Sequence, residues 1–341
     1  MKVSRNRRRN QPRVPWPDVL GRKQENPASA RDAYADLGTY DVSLRDVYVD
    51  SGADTDGLVK YKAPNHRAIV RGPLVSDDDP AERIFNVVGK KYRLITPDKI
   101  VNLWDEHIGR PVTSIGALDH GERFFLATQL PTIRVAGDDD KGIENTLVLV
   151  SPMNGREAII GMLVPVRLVC MNGMVTMGDV VEAFTLKHYQ NNLNQLPEWL
   201  AGVYQRNVAN LERMELTWNR LAAKTVSSQE VNDTLDVAFP LPVAMPDMDL
   251  EARQKHERRW DSAQSHRNLT REFFAGRGSG MDNKANKGTE YGLYNSIVEL
   301  IDWGAEKNEG AKMATVRSAA MGMAAKKKTQ VLNHLVERIA A

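Results

Sequence analysis

Cysteine is almost absent from this sequence: Cys170 is the only one among 341 residues. A lone cysteine excludes a disulfide framework and a cysteine-built zinc site, and it is typical of a chain that works in a reducing compartment. No apolar run approaches the ~20 residues that a membrane-spanning helix needs. The basic N-terminus also lacks the apolar segment of a signal peptide. We therefore expect a cytoplasmic protein with no membrane partner.

The motifs of several common enzyme classes are missing as well. There is no G-x-x-x-x-G-K-[ST] phosphate loop, no G-x-S-x-G nucleophile elbow and no H-E-x-x-H metal motif. The glycine-rich stretch at 276–280 lacks dinucleotide-binding spacing and follows a predicted helix instead of a strand. The seven histidines are scattered, without a pair at metal-ligand spacing. The sequence thus predicts no cofactor and favours a protein that is not an enzyme.

Charge is nearly balanced over the whole chain, at a formal net +2, so any nucleic-acid site must depend on where the charges lie. Residues 1–13 contain six basic residues and no acid, and such like charges repel each other, so this segment is expected to be a mobile arm. Arg7, Arg8 and Arg9 could contact phosphates there. A solubilising tail is the alternative. The C-terminal run Lys326-Lys327-Lys328 makes the other end basic too.

The first half of the chain has the pattern of strands. Residues 84–95 predict a hairpin that turns at Gly89-Lys90, and Thr96-Pro97 then predicts the start of a helix that ends near Ile108. Asn154-Gly155 predicts a tight turn between two further strands.

Beyond Met177 helical spacing dominates, with helices expected at 178–192 and about 196–224. Ser227 and Glu230 have the spacing of a capping box. The expected fold class is α+β: an antiparallel strand-rich core with flanking helices, followed by a mostly helical C-terminal half. We divide the chain into a basic N-terminal arm and loop (1–30), a strand-rich α+β core (31–190) and a helical region (191–341).

Basic and aromatic residues alternate in the strand-rich core, which is the composition of surfaces that hold single-stranded nucleic acid. Basic side chains would contact the backbone and aromatic rings would stack on bases. The alternative is that the aromatics belong to the core and the basic residues to a solvated face. The candidate residues are Lys90, Lys91, Tyr92, Arg93, Arg110, Arg123 and Phe125.

A polar stripe of unknown role lies near the C-terminus. Asn295, Glu299 and Asp302 are at i, i+4 and i+7, so on a helix they share one face. Apolar neighbours suggest that the stripe is partly buried, and buried carboxylates need a basic partner, such as Arg167, or a metal ion. We favour a structural ion-pair network or a subunit contact over a metal site.

Several segments in order along the chain resemble a family of phage, prophage and plasmid proteins defined by a domain of unknown function. The resemblance implies a phage-borne accessory protein in a bacterial host cytoplasm, and it implies no established activity. Tyr291 and Trp303 depart from the residues that are common in the family at those places. The matching residues are Pro15-Trp16 with Gly21, Val70-Arg71, Val87-Val88-Gly89 with Tyr92, residues 165–172, Lys187-His188, and Gly288-Thr289 leading to Asn295, Glu299 and Asp302.

The order of a helix, strand hairpins and a second helix is similar to the core of single-strand annealing recombinases, which work as oligomers without ATP. Together with the basic residues, this favours an ATP-independent protein that binds or anneals single-stranded DNA in phage recombination or replication. Its expected partners are single-stranded DNA and further copies of the chain. One alternative is a non-enzymatic assembly or host-interaction protein that uses the helical half. A weaker one is a metal-dependent nuclease that uses Glu299 and Asp302.

Overall fold

The computed structural model describes residues 22–38, 40–50, 60–73, 81–138, 142–167, 172–173, 184–188, 194–243, 248–303 and 323–340. The fold is α+β, with two antiparallel sheets in the N-terminal half and helices in the C-terminal half, which confirms the expected class. The elements in chain order are β1 (Arg22–Ala28), α1 (Ala30–Leu37), β2 (Val42–Asp50), β3 (Lys60–Arg71), β4 (Arg83–Gly89), α2 (Pro97–His107), β5 (Val112–Leu118), β6 (Arg123–Ile133), β7 (Ile143–Pro152), β8 (Ile159–Arg167), β9 (Asn172–Gly173), β10 (Phe184–Leu186), α3 (Leu196–Ala223), α4 (Ser228–Ala238), α5 (Leu250–Glu272), α6 (Glu290–Trp303) and α7 (Met323–Ala340).

The larger sheet has seven antiparallel strands. Its order is β1-β5-β6-β7-β8-β10, and β9 pairs with β8. The smaller sheet has the order β2-β3-β4. β1 falls within the range 1–30 that the sequence assigns to the arm and loop, and it pairs with β5. Its side-chain alternation is weak, because the segment combines charged residues with Pro27.

The hairpin predicted for residues 84–95 is wrong. Residues 83–89 do form a strand, β4, but its partner is β3, where Ala68 lies opposite Val87. The segment from Tyr92 to Ile95 enters the N-cap of α2 instead, and Ile95 is fully buried. Alternation within the short run indicates a strand but does not specify its partner, and β3, with 12 residues, is the longer one.

The helix predicted for residues 178–192 is also wrong over the part that the structure describes. Phe184, Thr185 and Leu186 form β10 and pair with residues 159–161 of β8. Aromatic and β-branched residues favour a strand, and here a free edge of the larger sheet lies beside them. The other residues of that range, apart from Lys187 and His188, lie outside the described ones.

The predicted turns and caps are confirmed. Thr96 accepts a hydrogen bond from the Lys99 N–H and caps α2, with Pro97 in its first turn. Ser227 and Glu230 form a complete capping box at the start of α4. Asn154-Gly155 joins β7 to β8, and Gly155 has φ +70°. These local signals depend on neighbouring residues alone, so the sequence is sufficient to place them.

Helix α3 crosses one face of the larger sheet. Leu200 packs near β6 and β7 with α1 and α2, whereas Trp218 packs with the helical half. Where α3 passes over β8, a Cβ at Gly161 would meet the Val203 side chain at 2.7 Å, so the helix and strand are in close contact. The opposite face of the sheet holds a separate buried cluster: Leu118, Phe125, Ala127, Val148, Val150, Met162 and Val164.

The loop that follows β6 ties the sheet to the helices. The Ala136 N–H donates a hydrogen bond to the side-chain oxygen of Asn219 on α3, at 2.7 Å. The Tyr291 hydroxyl of α6 donates to the Asp138 carboxylate at 2.9 Å. The apolar core beneath this loop contains residues from both the strands and the helices, including Leu130, Leu147, Trp218 and Leu293. The strand-rich and helical stretches therefore share this apolar cluster.

Candidate nucleic-acid interface

A tight basic turn follows β4 and brings four of the candidate residues together. The Tyr92 N–H donates to the Gly89 carbonyl at 3.0 Å, and the Lys90 N–H donates to the Asn65 carbonyl of β3 at 3.0 Å. The Arg93 guanidinium folds back and donates to the Lys90 carbonyl at 3.0 Å and to the Tyr92 carbonyl at 3.2 Å. Arg93 therefore stabilises the turn, while the side chains of Lys90 and Lys91 are exposed.

Tyr92 is only half available for stacking on a base. Its ring is stacked on His188, with a centroid distance of 5.2 Å and an interplanar angle of 16°. His188 is buried, and its main chain is held by the Arg93 N–H, which donates to the His188 carbonyl at 3.1 Å. Burial lowers the pKa of His188, against the opposing effect of its contact with the Arg93 carbonyl. Burial likewise raises the pKa of Tyr92, so both rings are neutral at pH 7.

Neighbouring elements add basic side chains around this turn. Arg67 lies on β3 beside Val88 of β4, and Arg156 follows the Asn154-Gly155 turn, which packs against β4. Within the described part of the chain, the cationic groups of Lys90, Lys91, Arg67 and Arg156 have no carboxylate oxygen within 4.0 Å. We call Arg67, Lys90, Lys91, Arg93 and Arg156 the basic turn surface.

Arg123 is held in an ion-pair network. Its guanidinium contacts the carboxylates of Asp119 and Glu157, and the Nε donates to Glu157 at 2.6 Å. The Glu157 contact raises the pKa of Arg123. Two carboxylates neutralise one guanidinium, so this residue fixes the turns at its end of the sheet and is not an open phosphate contact.

Phe125 is 1% exposed and belongs to the buried cluster on the outer face of the larger sheet. It is therefore not available to stack on a base. The physical reason is its position on β6, a central strand whose side chains are buried on both faces of the sheet. Sequence alone cannot distinguish an aromatic residue on such a strand from one on an exposed strand.

Arg110 lies away from the basic turn surface. Arg110 precedes the first residue of β5, whereas Arg123 pairs with Leu118 at the other end of that strand. A strand of this length places its two ends ~20 Å apart. The Arg110 Nε donates to the Tyr204 hydroxyl at 2.8 Å, and the guanidinium lies 5.6 Å from the centre of the Tyr204 ring. The candidate cations are thus not a single track. Arg7, Arg8 and Arg9 lie outside the described residues.

The polar stripe on α6 is occupied by protein partners. Glu299 accepts hydrogen bonds from the backbone N–H and the hydroxyl of Ser279, both at 2.8 Å. The Asn295 amide donates to the side-chain oxygen of Asn286 at 2.8 Å. Asp302 accepts from the buried Lys328 ammonium at 3.1 Å. The stripe therefore binds one loop and one helix of the same chain.

Lys328 is a basic partner of the stripe that the sequence analysis did not name, and the side chain of the suggested Arg167 lies outside the described residues. The helical periodicity of α7 indicates that Lys328 is buried. Lys328 precedes the buried Val331, Leu332 and Leu335 by three, four and seven residues, so it lies on their face. A lysine on a buried face needs a carboxylate, and Asp302 supplies it.

A second buried ion pair was not indicated by the sequence. Glu290 of α6 is fully buried, and Arg338 of α7 donates to its two carboxylate oxygens at 2.7 and 2.5 Å. Arg338 also donates to the Glu230 carbonyl at 3.0 Å and to the Thr234 hydroxyl at 3.2 Å on α4. One guanidinium therefore connects three helices.

In the described part of the chain, no group of three His, Cys, Asp or Glu side chains is arranged to hold a metal ion. Among the described helices, none combines the length and apolarity that crossing a bilayer requires.

Comparison with known proteins places these features in a family. A family described as a domain of unknown function (DUF932) matches residues 84–334. The chain belongs to this family. No curated protein matches the chain, and no solved structure matches it either.

The DUF932 match begins at β4 and ends within α7. It includes Lys90, Lys91, Arg93 and Arg156 of the basic turn surface, the larger sheet from β5 onward and the Lys328–Asp302 pair, whereas Arg338 of the second buried pair lies beyond its end. The matched range thus covers both the strand-rich and the helical stretches, in agreement with the apolar cluster that they share.

Proposed function

We propose that this protein binds single-stranded DNA through the basic turn surface and anneals it without ATP in phage recombination or replication. The observation that carries the proposal is a group of exposed cations, Arg67, Lys90, Lys91 and Arg156, without a carboxylate within 4.0 Å among the described residues. Cations that are not neutralised by the protein can bind phosphates and release the counterions that surround DNA.

The Tyr92–His188 stack gives this surface an aromatic element. Stacking between a base and an aromatic ring tolerates any sequence, because every base has a π face. One face of the Tyr92 ring is covered by His188, so a base would use the other face or the ring edge. Arg93 holds the turn in shape through its hydrogen bonds to the Lys90 and Tyr92 carbonyls.

The test is the salt dependence of binding to a labelled single-stranded oligonucleotide, measured by fluorescence anisotropy with the full chain. For single strands, each phosphate contact contributes about 0.7 to the slope of log K against log salt. A triple variant, Lys90→Gln with Lys91→Gln and Arg156→Gln, should therefore bind more weakly, with a slope smaller by about 2.

A second triple variant serves as a matched control, because it changes the net charge by the same amount as the first. Lys99, Arg213 and Lys287 are exposed basic residues on other elements, and their triple change to Gln should leave affinity and slope as in the unchanged protein. Equal effects of the two triple variants would contradict the proposed surface. Absence of binding at low salt would contradict the proposed function.

Assembly with further copies is a second candidate, favoured by exposed apolar side chains on the smaller sheet. Tyr48, Val49, Tyr61 and Ile84 are exposed by 54%, 60%, 62% and 70%. Apolar side chains concentrated on one sheet mark contact surfaces. Light scattering after size exclusion tests this: a Tyr61→Lys change combined with Val49→Lys should lower the mass of any oligomer. An unchanged mass would place the contact elsewhere, for instance on the helical half.

A further inference from the structure

A basic cleft lies between the end of α4, one face of α5 and α7. Its volume is about 700 Å³, within the range of small-molecule sites. Lys255, Arg258 and Arg259 of α5 line one side, and Lys327 of α7 faces them. Among the described residues of the lining, Glu251 is the only carboxylate, which leaves them a formal charge of +3 with His266 neutral.

Lys327 is partly buried, whereas the described lining cations of α5 are exposed. Its ammonium lies 4.8 Å from the centre of the Phe239 ring, and the Phe239 ring is also in contact with the His266 ring at 5.3 Å. Burial lowers the pKa of Lys327. Burial, followed by the charge of Lys327, lowers the pKa of His266. Both effects indicate that positive charge is poorly solvated here and would be stabilised by an anion.

The basic residues of α5 that line the cleft have hydrogen-bond donors available for a ligand. The Arg258 Nε donates to the Gln254 carbonyl of its own helix at 3.2 Å, which leaves both terminal nitrogens for another partner. In the described part of the chain, no carboxylate oxygen lies within 4.0 Å of the cationic groups of Lys255, Arg259 or Lys327. Lys255 to Arg259 span about 6 Å of helix axis, so their charges lie on one short stretch of α5 beside the cleft.

We propose that this cleft binds a chain of two or more linked phosphoryl groups, as carried by nucleoside diphosphates and triphosphates or by inorganic polyphosphate. A terminal phosphoryl group carries about −1.5 to −2 near pH 7, so such a chain balances the charge of the lining. Arginine forks and the Ser262 hydroxyl supply directed donors to phosphate oxygens. The site is separate from the basic turn surface and goes beyond the proposed DNA binding. It concerns binding alone, without hydrolysis.

Isothermal titration of the full chain at constant ionic strength tests the site, with tripolyphosphate, ATP and AMP as probes. Tripolyphosphate should bind one per chain, and AMP should bind at least ~10-fold more weakly. ATP that binds more tightly than tripolyphosphate identifies a nucleotide as the ligand; equal affinities identify the phosphate chain alone. A single-stranded oligonucleotide that displaces tripolyphosphate at equal phosphate concentration would overturn the proposal in favour of a second DNA contact.

Adjacent lysines provide the matched control. Lys327→Met should weaken tripolyphosphate binding by ~10-fold or more, whereas Lys326→Met, at the exposed neighbouring position, should not change it. A double variant at exposed positions, Arg258→Gln with Arg259→Gln, should give the same loss and avoids disturbing the Phe239 contact. Equal effects of Lys326→Met and Lys327→Met, or no binding, would overturn the proposal.

Two measurements separate this site from the DNA surface. The ring resonances of His266 should shift when tripolyphosphate is added, and those of His188 should not. Lys90→Gln combined with Lys91→Gln should leave tripolyphosphate binding unchanged. Loss of DNA binding in that variant with tripolyphosphate binding intact supports both sites. Loss of both activities together would contradict a separate cleft.

Discussion

The buried Arg338–Glu290 pair makes a sharp prediction, because the chain contains an exposed pair of similar geometry. Arg338 and Glu290 have side chains that are 16% and 0% exposed, with N···O distances of 2.7 and 2.5 Å. Arg45 and Glu82 are 49% and 51% exposed, with distances of 2.9 and 2.6 Å. The two pairs therefore differ in burial and in the two further hydrogen bonds that Arg338 donates to α4.

Arg338→Met leaves the Glu290 carboxylate buried without its cation and removes the donors to Glu230 and Thr234 on α4. Breaking a buried pair in this way costs about 3–5 kcal/mol of unfolding free energy. Arg45→Met should cost far less than Arg338→Met, because water solvates the remaining carboxylate. The measurement is urea unfolding followed by far-UV circular dichroism, with slopes compared to check that the unfolding reaction is the same.

A double variant tests the physical cause. Glu290→Gln combined with Arg338→Met removes the buried charge together with its partner, so much of the loss caused by Arg338→Met should be recovered. If Arg338→Met and Arg45→Met destabilise the protein equally, or if the double variant is no more stable than Arg338→Met, the reasoning from burial is refuted.

Two further predictions concern one turn and one histidine. Gly155 and Gly288 have φ of +70° and +72°, but a Cβ at Gly155 would lie 2.5 Å from a Val88 methyl, whereas a Cβ at Gly288 would have no atom of the described residues within 4 Å. Gly288→Ala should therefore cost about 1–2 kcal/mol of unfolding free energy, and Gly155→Ala about 1–3 kcal/mol more; equal losses in urea unfolding would refute the close contact. Burial lowers the pKa of His188, so its imidazole takes up a proton more readily in the unfolded chain than in the folded one. The contribution of His188 to stability is therefore complete above pH ~6.5, the ordinary pKa of histidine. It falls as the pH drops from there toward the lower pKa of His188 in the folded protein. His188→Gln should flatten this part of the pH–stability curve, by at most about 1.4 kcal/mol per pH unit, and parallel curves for the two proteins would contradict a buried neutral imidazole.

Local signals in the sequence were sufficient for much of the fold. Thr96-Pro97, Asn154-Gly155 and Ser227 with Glu230 each place an element boundary correctly, because the groups that satisfy the backbone lie within a few residues of one another. Pairing between distant strands was not accessible in this way. β4 has the same alternation whether its partner is β3 or residues 92–95, and the choice depends on the tertiary edge beside it.

The candidate site was predictable only where neighbouring residues form it. Lys90, Lys91, Tyr92 and Arg93 lie on one turn because they are consecutive. Whether a given residue is open to solvent depends on distant partners: Glu157 neutralises Arg123 from 34 positions away. Phe125 has no local feature that distinguishes its buried strand from an exposed one.

The three consecutive lysines of α7 also show that a local run of charge does not predict the environment of each side chain. Lys326 is exposed, Lys327 lines the basic cleft and Lys328 is buried in an ion pair with Asp302. Successive residues on a helix point in directions about 100° apart, so one charge run reaches three environments. The run itself indicated only a basic end of the chain.

The hydrogen bonds from the loop after β6 to Asn219 and Tyr291 have a practical consequence for anyone who would divide this protein. A cut near residue 190 would separate Leu130 and Leu147 from Trp218 and Leu293, so each fragment would keep half of an apolar interior and expose it. The separated fragments would expose apolar surface that the intact chain buries, which favours their aggregation or their association with each other. Pieces nicked there after folding would stay associated, as complementary fragments do.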